Sequence, residues 1–252
     1  MKEFAVDKLK VKIYSSRSEM GENAAIEIKS AICSLLSQKD EINMIFAAAP
    51  SQNEVLASLV ADNDIDWSRI NAYHMDEYIG LPDKAPQAFG NFLAEHIFSL
   101  VPFKSVNYIN AYEKDIEKEC ARYSALLESN RPDIVVMGIG ENGHIAFNDP
   151  PVANFKDEKK IKPVKLDEVC RNQQVNDGCF KQLSLVPEYA LTLTVPTLLD
   201  TDHIFCIVPA KTKAWAVKET LCGSIDEHCP ATALRTHKNT TLYLDADSSS
   251  MI

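Results

Sequence analysis

Asn43-Met44-Ile45-Phe46-Ala47-Ala48-Ala49-Pro50-Ser51-Gln52-Asn53-Glu54-Val55-Leu56-Ala57-Ser58-Leu59-Val60 carries a whole strand-to-helix unit in one stretch. The apolar run Asn43–Ala48 reads as a buried strand. Ser51-Gln52-Asn53-Glu54 has the S-x-x-E spacing of a capping box, in which a hydroxyl and a carboxylate satisfy each other's backbone N–H groups at a helix start. Val55, Leu56, Leu59 and Val60 then fall on one face of the helix it opens. The unit before it has the same grammar: Leu9–Tyr14 is a strand, and Ser16-Arg17-Ser18-Glu19 caps a helix running to about Leu36. Further strands are expected at Ile70–His74, Val106–Ile109, Ile134–Met137, Leu191–Val195, Ile204–Val208 and Thr241–Leu244. Helices are expected around Phe89–Phe98, Ile116–Leu127 and Thr212–Leu221. Strands alternating with helices predict the α/β class: an open, doubly wound, mostly parallel sheet with helices on both faces. Residues 151–184 break the pattern. They are polar, rich in Lys, Asp, Asn and Gln, and predict a long excursion serving as a lid or binding loop.

The chain has 252 residues, 46% of them hydrophobic, with no composition break that divides it, so a single domain is expected. A net charge of -10 opposes nonspecific attraction to nucleic acid and to anionic membrane surfaces, so an anionic small molecule has to be captured locally. The start MKEFAVDKLK lacks the apolar core of a signal peptide, and no apolar run approaches the roughly 20 residues needed to span a bilayer. A cytoplasmic protein is expected. The seven cysteines are odd in number, with no C-x-x-C pair and no histidine spacing for zinc, so reduced thiols without assigned chemistry, and no metal, are expected. A homo-oligomer stays open.

In open parallel sheets ligands bind at the carboxyl ends of the strands, and three such ends carry chemistry-bearing residues. After Ile70–His74 come two adjacent carboxylates, Asp76 and Glu77. Partial burial of Asp76 would raise its pKa towards the range of a general base, while paired acids in a loop are more often solvated groups or a helix-start device. After Ile134–Met137 comes Gly138-Ile139-Gly140-Glu141-Asn142-Gly143-His144-Ile145-Ala146-Phe147-Asn148-Asp149-Pro150. Its glycines permit a tight turn, and His144 is flanked by groups able to orient an acid/base imidazole. The spacing is not G-x-G-x-x-G, and a lone histidine is as often structural. After Ile204–Val208 comes Pro209-Ala210-Lys211-Thr212-Lys213, where lysines at a helix start oppose the helix dipole and are better tolerated beside a bound anion.

These segments carry a resemblance. His74–Pro82 resembles the MDEYxGLP segment, and Gly138–Pro150 the GxGxxGHIAFNEP segment, of glucosamine-6-phosphate deaminases. Val186-Pro187-Glu188-Tyr189-Ala190-Leu191-Thr192 is similar to their VPxxALT strand, and Lys213 falls on their phosphate-binding lysine. Related 6-phosphogluconolactonases share the fold with different loops. The resemblance implies that Asp76 shuttles a proton between C2 and C1 of an open-chain sugar and that His144 is the acid that opens the ring. Asp149 replaces the usual glutamate that orients His144. Asn142 stands where many relatives have an aspartate, and an amide can position the imidazole without offsetting its charge.

The glycine-rich phosphate loop of the relatives is replaced here by Ala47–Asn53, leaving Ser51, Gln52 and Asn53 as donors to the anion. The second basic phosphate ligand aligns near Asn176, with Arg171 as its substitute. The implied reaction turns a 2-amino-2-deoxyhexose 6-phosphate into a ketohexose 6-phosphate and ammonia with no cofactor, and leaves the glucosamine and galactosamine epimers open. Lactone hydrolysis on the same scaffold and a non-catalytic sugar-phosphate sensor are the alternatives.

Overall fold

Along each central strand the side chains alternate between two apolar clusters: Val135 and Met137 enter one, Ile134 and Val136 the other. A strand buried on both faces needs helices on both faces, and the computed structural model, which describes residues 1–82 and 84–252, has that arrangement. The strands are β1 (Lys2–Val6), β2 (Leu9–Ile13), β3 (Ile42–Phe46), β4 (Ile70–His74), β5 (Asp76–Ile79), β6 (Ser105–Asn107), β7 (Ile134–Met137), β8 (Ile161–Lys165), β9 (Tyr189–Leu193), β10 (His203–Val208) and β11 (Thr240–Leu244). The helices are α1 (Arg17–Leu36), α2 (Asn53–Val60), α3 (Phe89–Leu93), α4 (Ile116–Ser129), α5 (Glu168–Asn176), α6 (Val195–Leu199) and α7 (Ala214–Cys222). Buried residues of α1, α2 and α3 pack on one face of the main sheet, and those of α4, α6 and α7 on the other.

The main sheet has the order β1-β2-β11-β10-β7-β3-β4-β6, parallel throughout except for β1 against β2. From β3 the chain proceeds outward to β4 and β6, then returns to β7 on the other side of β3 and continues to β10 and β11. The neighbours β3 and β7 therefore form the switch point, where the loops leaving their carboxyl ends diverge and open a crevice.

The expected α/β class and both-faced sheet are present, with several differences of detail. Leu191–Val195 does not extend the main sheet: β9 pairs antiparallel with β5 and β8 in a separate three-stranded sheet, and Val195 begins α6. The excursion at 151–184 contains β8 and α5. Ser16 caps α1 as expected, accepting from the Glu19 N–H, but Ser51 caps nothing. Pro50–Gln52 is a tight 3-10 turn, and Glu54 pairs with Arg17 at 2.7 Å instead of reaching back, so Ser51 is free to face the crevice. Phe89–Phe98 is α3 followed by a π-helical turn at Ala94–Phe98.

Helices α1 and α2 touch at Gly21, where a Cβ would lie 2.5 Å from Glu54 Cβ and 3.2 Å from its backbone carbonyl carbon. Alanine is intrinsically favoured over glycine inside a helix by about 1 kcal/mol. The contact overrides that preference, because the obstructing atoms are backbone and Cβ, which cannot swing away. Gly21→Ala is expected to destabilise the chain by on the order of 1–3 kcal/mol in urea unfolding; a stabilised variant would show that the helices can part without cost.

Candidate active site

A cavity of about 350 Å³ opens at the switch point. Ala47–Ser51 after β3, Met75 and Asp76 after β4, and Gly138, Ile139, Gly140, His144, Ala146 and Phe147 after β7 line it. Phe89, which stacks on Phe147 with ring centroids 5.4 Å apart, supplies an apolar wall together with Phe92. Gln173, Gln174, Asp177, Gly178 and Cys179 of the excursion close the remaining side.

The adjacent carboxylates at 76 and 77 have separate tasks because successive residues of a strand point to opposite faces. Asp76 opens β5 and lines the cavity. Burial, with the nearby Glu77 charge, pushes its pKa well above the usual carboxylate range. Glu77 turns away and caps α3: its carboxylate accepts the N–H groups of Tyr78 at 2.9 Å, Phe89 at 3.0 Å and Gly90 at 2.8 Å. Burial raises the Glu77 pKa, and those three donors pull in the opposite direction.

The loop after β7 fixes one imidazole nitrogen and frees the other. His144 Nδ1 is 2.7 Å from Asn142 Oδ1 and 3.0 Å from Asp149 Oδ1. Both neighbours are acceptors, so the proton resides on Nδ1, and Nε2 is the nitrogen left for a ligand. Asn142 Nδ2 donates to the same Asp149 oxygen at 3.0 Å, which makes the amide a bridge between carboxylate and imidazole. Burial resists ionisation of Asp149, but the His144 charge and the hydrogen bonds from His144, Asn142 and the Asp167 backbone outweigh it and hold the pKa below the ordinary value.

Gly140 is required here, since a Cβ would fall 2.1 Å from His144 Cε1 and 2.2 Å from Nε2; the ring rests directly on its backbone. Asn148 anchors the loop, donating to Ile145 O at 2.9 Å and to Leu193 O of β9 at 2.8 Å. Ala146 takes a left-handed conformation, φ 47°, at the crest of the turn.

The carboxyl ends of β3, β7 and β10 converge at Gly138, whose missing Cβ would meet Ser51 Oγ, Gln52 Nε2 and Ile207 O at 3.2–3.3 Å. Gln52 is fully buried and donates to Ser51 Oγ at 2.9 Å. Its Oε1 and Asn53 Oδ1 have no hydrogen-bond partner among the described residues. Neither has Lys213 Nζ, although Lys213 is only 6% exposed. Burial lowers the Lys213 pKa, against the charges of Asp177 and Glu141. A buried ammonium without a partner is costly unless an anion completes it.

The family profile described as Glucosamine-6-phosphate isomerases/6-phosphogluconolactonase matches residues 15–243. The chain belongs to this family. The glucosamine-6-phosphate deaminase of Bacillus cereus (strain B4264) is 36% identical over 189 residues, which is 75% of this chain and 70% of that protein. The same figures hold for the glucosamine-6-phosphate deaminase of Bacillus thuringiensis (strain Al Hakam). Among solved structures, a monomeric glucosamine-6-phosphate deaminase superposes with a TM-score of 0.86 at 28% identity, over 96% of this chain and 99% of that one. A 6-phosphogluconolactonase from Thermotoga maritima gives a TM-score of 0.77 at 20% identity over 94% and 100% of the two chains, a likeness of fold alone.

Within this family member, Asp76, His144 and Ser51 meet in the cavity, with Asn142 and Asp149 behind His144. Arg171 does not join them. On α5 the inward face is Cys170, Gln173 and Gln174. Arg171 lies a hundred degrees round the helix, donating to Leu183 O at 3.1 Å and Val186 O at 2.8 Å. Asn176 is exposed, and its place at the cavity is taken by Asp177.

Sequence reasoning passed over Gln173, which accepts from the Glu141 N–H at 2.7 Å and so ties α5 to the histidine loop. It also passed over His74. Fully buried beneath Asp76, His74 donates from Nδ1 to Asp76 O at 2.9 Å, and its Nε2 accepts the Ile109 N–H at 2.9 Å. That pattern requires a neutral ring, and burial pushes its pKa from 6.5 down to about 4. A depressed histidine pKa contributes stability that is complete above 6.5 and is lost as pH falls towards 4, by up to about 3 kcal/mol. His74→Gln, which cannot gain that proton, is expected to be less stable than the parent at pH 7. The gap should narrow at pH 4.5, as read by urea unfolding at both values; a gap independent of pH would mean that His74 is not held neutral.

Proposed function

We propose that the chain converts a 2-amino-2-deoxyhexose 6-phosphate and water into a ketohexose 6-phosphate and ammonia. The reading is carried by one observation: a buried carboxyl with a raised pKa and an imidazole tied at Nδ1 line the same cavity. The deaminase relatives support it. His144 Nε2 serves as the acid that opens the pyranose ring. Asp76 takes the proton from C2 of the open chain and returns it to C1, and water then replaces the nitrogen at C2, releasing ammonia. Asn142 transmits the orientation imposed by Asp149, whose charge stabilises the imidazolium through the bridge.

Lys213 is read as the main phosphate ligand, with Ser51, Gln52 and Asn53 as further phosphate-binding groups; its ammonium, unpartnered among the described residues, supports that role. The excursion is read as a binding loop of one domain, since Gln173, Gln174, Asp177, Gly178 and Cys179 contribute cavity wall. Among the described residues no helix is long and apolar enough to cross a membrane, and the free cysteines fit the reducing cytoplasm in which we place the protein.

Ammonia release assayed on glucosamine, galactosamine and mannosamine 6-phosphates, with hydrolysis of a phosphogluconolactone in parallel, tests the reading; turnover of the lactone alone would overturn it. Asp76→Asn is expected to abolish turnover while the sugar phosphate still binds, and near-normal turnover would remove Asp76 from the chemistry. His144→Gln should lose on the order of 10²- to 10⁴-fold in rate yet still bind the 6-phosphate of a 2-amino-2-deoxyhexitol, which is already open. Equal loss of that binding would make His144 a structural group. Lys213→Ala is expected to raise KM far more than it lowers kcat, because the phosphate is remote from C1 and C2. An unchanged KM would move the phosphate elsewhere.

A further inference from the structure

We propose that His144, Asp149 and Cys170 form a buried site for a thiophilic divalent cation such as Zn²⁺, and that filling it switches the enzyme off. The inhibitory half of this proposal rests on the function proposed above; the binding half does not. One ligand atom from each residue lies within 4.8 Å of the other two, and all three side chains are buried. Nitrogen, carboxylate oxygen and thiolate sulfur are the donors zinc selects, with bonds of about 2.0–2.3 Å that place donors roughly 3.3–3.8 Å apart in a tetrahedron. The cluster needs a contraction of about 1 Å to reach that spacing. Asn142 Oδ1, 2.7 Å from His144 Nδ1, is a further oxygen at hand.

The charges close. A dication meets one carboxylate and one thiolate, leaving a neutral buried site instead of an isolated charge. The protons also balance: the Cys170 thiol releases its proton to water as the sulfur–metal bond forms, and the His144 proton moves from Nδ1 to Nε2 as Nδ1 takes the metal. One proton leaves per ion and nothing is oxidised. The consequence for turnover is direct. Nε2 becomes the sole proton-bearing nitrogen of a ring that cannot accept another proton, and Asp149 no longer offers its charge. The site bridges two segments, since His144 and Asp149 belong to the loop after β7 and Cys170 to α5.

The test uses the full chain, reduced and stripped of metal. Titration with Co²⁺ should give a thiolate charge-transfer band in the near ultraviolet that saturates at a single equivalent, is displaced by Zn²⁺ and is absent from Cys170→Ala. No band in the parent chain, or a band kept in Cys170→Ala, overturns the site. Equimolar Zn²⁺ should lower ammonia release by about 100-fold or more, reversibly with a chelator, while Cys170→Ala and Cys170→Ser keep their turnover in the same Zn²⁺. A band that depends on Cys170 beside turnover insensitive to Zn²⁺ overturns the switch. Should the chain release no ammonia from any hexosamine phosphate, the proposed function fails while the Co²⁺ titration still decides the site. If the variants do not fold, calorimetric titration of the parent chain with Zn²⁺ in buffers of different ionisation heat should show one ion bound with release of about one proton, and binding without proton release, or no binding, would overturn the proposal.

Discussion

Strands β3 and β7 pair in parallel, with Met44, Ile45 and Phe46 opposite Ile134, Val135 and Val136, and the chain leaves them towards opposite edges of the sheet. Two loops that must part company immediately after a hydrogen-bonded ladder cannot fill the space between them. Gly138 lines the crevice they leave, and a Cβ there would lie 3.2–3.3 Å from the Ser51 and Gln52 side chains. The Ser51 turn and the histidine loop owe their meeting at the cavity to this divergence at one ladder. The apolar layers on both sheet faces bury the ladder from either side and pack it closely.

Three buried carboxylates within this frame illustrate how surroundings assign roles to identical chemistry. Asp76, desolvated by burial and beside another acid, is pushed towards the protonated form. Glu77 is satisfied by backbone donors and becomes structural. Asp149, facing an imidazole and an amide, stays ionised. The substitution of Asn142 for an acid fits this division: a second carboxylate there would stand against Asp149 at 3.0 Å, whereas the amide donates to it.

Much of the main sheet was legible in the sequence because its signals are local. Ile70–His74 and Ile134–Met137 coincide with β4 and β7, and the Ser16 cap marks the start of α1. The histidine loop, with its glycines and acid, announced itself, and Gly140 explains why no larger residue would do. What stayed hidden depends on distant partners. β5 and β8 become strands only by pairing with β9. Helix α5 buries cysteine and glutamine, so a search for apolar periodicity finds no face, and Arg171 accordingly looked available when it is committed to carbonyl groups. The S-x-x-E spacing at Ser51 misled because Arg17, far away in sequence, captures Glu54.

The small sheet also sets the order in which the molecule can assemble itself. β5 pairs Asp76 with Thr192, more than a hundred residues further along the chain, and Thr192 Oγ1 accepts the Phe147 N–H of the histidine loop at 3.0 Å. Closing so long a loop carries an entropic cost that only the finished contacts repay, so such pairings follow the local helices and their neighbouring strands in time. A ribosome-bound chain that has already emitted both Asp76 and His144 therefore lacks the strand that fixes their relative placement. The geometry of the cavity is a property of the last third of the polypeptide as much as of the residues that line it.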